Sequence, residues 1–333
     1  MKTIDRSIFK GRDFISLHDF SQDELSCVLD VARELKEEQK AGRPHTILQG
    51  KTLGMIFTKS STRTRVSFEV GMYQLGGHAL FLSGRDIQLG RGETIADTAR
   101  VLSRMVDGIM IRTFSHQDVL DLAKYSTIPI INGLTDLLHP CQVLADLMTI
   151  QEHKGRLAGL KLAYIGDGNN MAHSLMFGGA KMGMHVVIAS PAGYKPDPLI
   201  VAMAQADAKA NGGCVEVIDD PLEAVKGADV LYTDVWASMG QEEEAKVRKV
   251  AFEGYQINSN VLKRANPSAI VLHCLPAHRG EEITDDVIEG VQSVVFDEAE
   301  NRLHAQKAIM ALVIEAASSS NTKAGLPLEA AAK

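Results

Sequence analysis

Cysteine is scarce in this chain of 333 residues, with only Cys27, Cys141, Cys214 and Cys274, far apart and never in a C-x-x-C pair. That spacing excludes a disulfide framework and a zinc knuckle and fits a reducing compartment. Long apolar runs are missing as well. Runs such as Ile309–Ile314 stop at Glu315, far short of the roughly 18 residues needed to cross a bilayer. A surplus of basic charge is also lacking, because 42 acidic residues face 35 basic ones for a formal charge of -7. A dedicated nucleic-acid binder, which must displace counterions from phosphates, is therefore not expected. The opening segment MKTIDRSIFKGRDF breaks every apolar stretch with a polar group. No targeting segment is read there, and a cytoplasmic location is expected.

With 45% hydrophobic and 23% charged residues, the composition is that of a globular protein, and the length suggests two domains. Ser21 and Glu24 read as a capping box before the helical stripe Leu25, Val28, Leu29, Ala32 and Leu35. From Lys51 onward, strand-length runs (TLGMIF, HALFL, GIMIR, PIING) alternate with helical patterns, including one from Thr94 to Met105. A second series follows from Leu160: LKLAYIG, HVVIAS, VEVID, DVLYTD, AIVLHC and SVVF. Alternation of this kind predicts an α/β protein of two tandem domains, each a parallel sheet flanked by helices. The expected boundaries are 1–150, 151–320 and a poorly anchored tail, 321–333. The connector is a helix from Pro140 to about Lys154, since proline suits a first helical position. A final helix carrying Leu303, Gln306, Met310, Val313 and Ala317 on one stripe covers a sheet or docks back on the first domain.

In open α/β sheets ligands bind beyond the carboxyl ends of the strands, so the polar residues that follow each run are the site candidates. After TLGMIF comes TKSSTRTR, where the hydroxyls of Ser61, Thr62 and Thr64, the unpaired amides of a helix start and the Arg63 guanidinium make an anion cradle. Arg63 and Arg65 stand about 200° apart around a helix, so Arg63 is expected to face the anion and Arg65 an ion pair. Arg112 ends GIMIR, and His139 and Gln142 lie on one face at the start of the connector helix. In the second domain IGDGNN is half a dinucleotide fingerprint, with Met171 in the third glycine position and no acidic residue closing the next strand. NAD is therefore not expected, and Asn170 is read as a polar group for a small substrate. Asp234, followed by Ser238 and Met239, and Cys274 close two further strands. His273, Cys274 and His278 invite a metal reading, but neighbours on a strand point to opposite faces, so neither metal nor cofactor is expected. The acidic stretch 241–244 reads as a solvated helix face. Serine-hydrolase and nucleotide-hydrolase motifs do not occur.

Taken together, STRTR at Ser61, IMIRT around Arg112, HPCQ at His139, DVWASMG at Asp234 and HCLP at His273 resemble the aspartate/ornithine carbamoyltransferase family, on its ornithine side, along nearly the whole chain. Ser60 stands where many relatives have proline. The resemblance implies transfer of a carbamoyl group from carbamoyl phosphate to the side-chain amine of L-ornithine, through a tetrahedral intermediate, giving citrulline and phosphate. It implies a carbamoyl phosphate site at Ser61, Thr62, Arg63, Thr64, Gln88, Arg112, His139, Gln142, Cys274, Leu275 and Arg302. It implies an ornithine site at Asn170, Asp234, Ser238 and Met239, with Arg63, Arg112, His139, Asp234 and Cys274 carrying catalysis. It further implies a homotrimer in which Gln88 reaches a neighbouring subunit's site. A carbamoyltransferase for another amine, such as putrescine or N-acetylornithine, would look the same in its donor half.

Overall fold

The computed structural model describes residues 4–89, 91–237 and 242–314. Ser238, Met239 and the tail expected at 321–333 lie outside the described residues. The chain divides into two units, one formed by residues up to Leu144 together with those from Arg302 onward, the other by Ala145–Asn301.

The first unit contains α1 (Gln22–Lys40), β1 (Thr52–Phe57), α2 (Thr62–Gln74), β2 (His78–Ser83), α3 (Ile95–Leu102), β3 (Gly108–Arg112), α4 (His116–Tyr125) and β4 (Ile130–Leu134), followed by the start of α5 (Pro140–Lys154). Its four strands pair in parallel in the order β2-β1-β3-β4. β3 and β4 are buried throughout, as strands covered on both faces should be, whereas β2 is an edge with its first residue exposed. The capping box is present: Ser21 accepts from the Glu24 amide while the Glu24 carboxylate accepts from the Ser21 amide. Pro140 is the first residue of α5. The helix read to Met105 ends sooner, at Leu102.

The second unit continues α5 and adds β5 (Lys161–Ile165), α6 (Asn170–Lys181), β6 (His185–Ala189), α7 (Pro198–Asn211), β7 (Cys214–Ile218), α8 (Pro221–Val225), β8 (Val230–Thr233), α9 (Ala245–Ala251), α10 (Ser259–Leu262), β9 (Ile270–His273), α11 (Asp285–Ile288) and the first part of α12 (Val295–Ile314). The five strands are parallel in the order β7-β6-β5-β8-β9. Ala163, Val187, Leu231 and Val271 form part of its core. One expected strand is corrected here. SVVF contributes only an isolated bridge from Ser293 to Val271, and Val295 and Phe296 already belong to α12. The apolar run is too short to distinguish strand from buried helix, and Asp297 and Glu298 directly after it favour a helix start.

The C-terminal part of α12 packs on the first unit. A Cβ on Gly71 of α2 would lie 3.0 Å from Met310 Cε and 3.1 Å from Lys307 Cγ. The fully buried Lys307 ammonium donates to Gln74 Oε1 at 2.9 Å, Gln39 Oε1 at 3.1 Å and His45 Nε2 at 3.1 Å. Burial pushes its pKa down to about 8, against the opposing pull of Glu38. An unfolded lysine titrates near 10.4, so between these pH values the unfolded chain binds the extra proton and this group's contribution to stability rises with pH. From pH 8 to 10 the urea midpoint of the unsubstituted protein should therefore climb relative to that of Lys307→Met; parallel pH curves would show that the ammonium is not strained by burial.

Candidate active site

At the carboxyl end of β1 the chain turns into α2 through Ser61, whose hydroxyl accepts from the Thr64 amide at 3.2 Å and caps the helix. That leaves Thr64 one turn inside the helix and fully buried. Its hydroxyl oxygen accepts from Arg112 Nη1 at 3.3 Å and from Arg302 Nη2 at 3.0 Å. Arg302 Nη1 also donates to Gln142 Oε1 at 2.6 Å. With its amide oriented to satisfy both neighbours, Gln306 accepts from Arg302 Nε at 3.1 Å. Thr64, Arg112, Gln142 and Arg302 are thus in direct contact, although they come from α2, β3, α5 and α12.

His139 precedes α5 and is buried. Burial first, then the charges of Arg302, Arg112 and Lys59, holds its pKa well below the usual imidazole value. A neutral imidazole results, able to present one N–H without adding a further cation. Arg63 is half-buried and, among the described residues, its guanidinium has no hydrogen-bond or ion-pair partner. Arg65 pairs with Glu69 at 2.9 Å and lies over the Phe81 ring at 3.7 Å, as expected from its position around the helix. Ser61, Thr62, Arg65, Phe81 and Arg85 line a cavity of about 610 Å³ at the ends of β1 and β2. Gln88 is exposed in a turn just beyond β2, and its carbonyl accepts from the Arg91 amide at 2.8 Å.

In the second unit, β5 leads into the IGDGNN turn. A Cβ on Gly168 would stand 2.1 Å from the Pro196 nitrogen. The backbone at Lys195–Pro196 therefore packs directly against Gly168 and leaves no room for a side chain there. Asn170 opens α6 and is buried, while its neighbour Asn169 is the cap. The Asn169 side chain accepts from the Met171 amide at 2.9 Å and donates to Asp234 Oδ2 at 3.1 Å. Asp234 also takes the Val235 amide at 2.8 Å and the Cys274 thiol at 3.1 Å. Burial, followed by the charge of Asp234, pushes the Cys274 thiol well above its ordinary pKa. The group is therefore a protonated donor to Asp234 and not a thiolate.

One expectation about facing needs correction. Asp234, His273 and Cys274 each place a possible ligand atom within 4.8 Å of the others despite the alternation along β9. The residue after a strand's end no longer follows the pleat, and Cys274 lies just past His273, the last residue of β9. Both ring nitrogens of His273 are nevertheless engaged, Nδ1 with the Leu275 amide at 2.9 Å and Nε2 with Glu282 Oε1 at 3.1 Å.

Sequence reading overlooked Asn169 and Arg248. Arg248 donates to Asp167 Oδ2 at 2.7 Å, to the Trp236 carbonyl at 3.0 Å and to Glu244 Oε2 at 3.0 Å. It ties the turn after β5 to the segment after β8. Asp167 was within reach of the strand-end rule, because it follows Ile165 by two residues; Arg248 had no local signal.

Two domain models of one family match the chain. The aspartate/ornithine carbamoyltransferase carbamoyl-P binding domain matches residues 12–152, and the Asp/Orn binding domain matches residues 158–313. An ornithine carbamoyltransferase of Symbiobacterium thermophilum is 66% identical over 305 residues, covering 92% of this chain and 98% of the relative. One from Thermococcus kodakarensis is 61% identical over 304 residues, covering 91% and 96%. The solved structure of the Pyrococcus furiosus ornithine carbamoyltransferase superposes with a TM-score of 0.90 at 59% identity, covering 92% of this chain and 98% of that one. With both domain models matched in order and such identity maintained along most of its length, the chain belongs to the aspartate/ornithine carbamoyltransferase family.

Proposed function

We propose that the protein transfers the carbamoyl group of carbamoyl phosphate to the side-chain amine of L-ornithine, releasing L-citrulline and phosphate. The observation that carries this reading is the meeting of Arg112 and Arg302 at the Thr64 hydroxyl, one turn inside the start of α2. Two fixed guanidinium groups beside helix-terminal amides suit a phosphate dianion. In this reading Ser61, Thr62, Arg63 and Thr64 hold the phosphate with Gln142 and Arg302. Arg112, His139 and Thr64 stabilise the carbonyl oxygen as it becomes an oxyanion. Cys274 and Leu275 complete the donor's contacts.

The acceptor binds at Asn170, Asp234, Ser238 and Met239. Its amine should titrate like lysine, so freeing the nucleophile at pH 7 costs about 4.6 kcal/mol. Asp234 would raise an ammonium pKa and cannot be the deprotonator. The raised thiol pKa of Cys274 removes that group as a base too. Asp234 and Cys274 orient the nitrogen, and phosphate oxygen or solvent takes the proton. Attack on the carbonyl gives a tetrahedral intermediate that expels phosphate, a leaving group good enough to need no covalent enzyme intermediate. The protein works as a cytoplasmic homotrimer in which Gln88 reaches a neighbouring subunit's site. No helix among the described residues is long and apolar enough to cross a membrane.

Purified protein given carbamoyl phosphate and a panel of amines should form a ureido product from L-ornithine; product from putrescine or N-acetylornithine instead would move the assignment to another acceptor. Arg63→Lys should lower kcat/KM about 100-fold, because an ammonium cannot make a two-pronged contact. Arg65→Lys, which keeps a cation beside Glu69, should stay near the unsubstituted value; equal losses in the two variants would remove Arg63 from its assigned role. Asn169→Ala should destabilise the fold by about 1 kcal/mol through the lost cap and raise KM for ornithine with that for carbamoyl phosphate unchanged, which initial-rate kinetics with each substrate varied will read.

A further inference from the structure

We infer that His273 and Glu282 form a positioning pair that sets the backbone carrying Cys274 and Leu275; this rests on the proposed role of those two residues. Both His273 and Glu282 are completely buried, and they meet at 3.1 Å between Nε2 and Oε1. The other ring nitrogen, Nδ1, lies 2.9 Å from the Leu275 amide, which can only donate. Nδ1 must therefore carry a lone pair. A neutral imidazole has one ring proton, so that proton is on Nε2 and points at Glu282. An imidazolium is excluded by the same contact, because it would set N–H against N–H at Leu275. A protonated Glu282 donating to Nε2 would leave the ring with no proton at all.

The held amide belongs to a residue in an uncommon conformation. Leu275 has a φ of 54°, the only positive φ outside glycine among the described residues. A side chain with branched bulk pays for that backbone, so the surroundings must impose it. The Nδ1 contact is one such restraint. Glu282 extends the restraint, since its Oε1 also accepts from the His278 amide at 2.5 Å and so ties both ends of the segment 275–278. On the strand side, the His273 amide donates to Glu298 Oε2 at 2.8 Å, and Glu298 accepts from Tyr232 at 3.0 Å. Cys274 therefore sits between two anchored amides, with its thiol directed to Asp234. His273 and Glu282 touch none of the reacting atoms in this scheme; they fix the geometry of residues that do.

The test combines nitrogen NMR of the intact, 15N-labelled protein with kinetics. The His273 ring resonances, identified by their loss in His273→Asn, should report the neutral Nε2–H tautomer. A Nδ1–H tautomer or an imidazolium in the unsubstituted protein would overturn the inference, whether or not any variant folds. Glu282→Leu should lower kcat about 10- to 100-fold, by more than it raises either KM, as expected of misplaced groups and not of lost binding. His273→Asn, whose amide oxygen can replace Nδ1 as acceptor, should retain more turnover than His273→Leu. Unchanged kcat and KM in folded Glu282→Leu would also overturn the inference. Absence of citrulline formation by the unsubstituted protein would instead sink the functional reading, while the tautomer would still stand or fall by its own spectrum.

Discussion

Two guanidinium groups share one hydroxyl oxygen in the first unit, and this constraint organises the surroundings. Arg112 and Arg302 both donate to Thr64 Oγ1, which places like charges close together in a buried setting where their repulsion is poorly screened. Such an arrangement needs an exact scaffold and is relieved by an anion. The scaffold consists of a strand end, a helix start, the beginning of a second helix through Gln142 and the middle of α12. Burial first, and the nearby cations after it, keep His139 neutral, because both act in the same direction on its proton. The histidine therefore adds no further positive charge to that of Arg302, Arg112 and Lys59.

In the second unit the organising group is a carboxylate surrounded by donors. Asp234 is satisfied by an amide, an asparagine and a thiol, and the cost falls on the thiol, whose ionisation is suppressed. Asn169 serves two ends at once, as helix cap and as a hydrogen-bond donor to Asp234. The start of α6 and the end of β8 are consequently fixed relative to each other by a single side chain.

Much of this was legible in the sequence wherever the signal was local. The capping box at Ser21, Pro140 at a helix start and the polar residues closing apolar strand runs all follow from short-range chemistry. What was not legible depended on distance along the chain. Arg302 meets Thr64 across 238 positions, and only the family resemblance drew attention to it. Arg248 meets Asp167 across 81 positions, with no motif to mark it. SVVF was misread because four apolar residues cannot declare their period, and the acidic turn after them outweighed their β propensity. His273 and Cys274 come to the same side, against the alternation expected of neighbours, because the pleat stops at the strand's end.

The division of the chain also fixes an order of completion. All of the second unit lies within residues 145–301, whereas the first needs residues from 302 onward, among them Arg302 and Lys307. During synthesis from the amino terminus, the later-encoded unit is therefore complete before the earlier one. The emerging first sheet must wait for its last helix, with the surfaces around Gly71 and Gly108 uncovered until Met310 and Ile314 have been made.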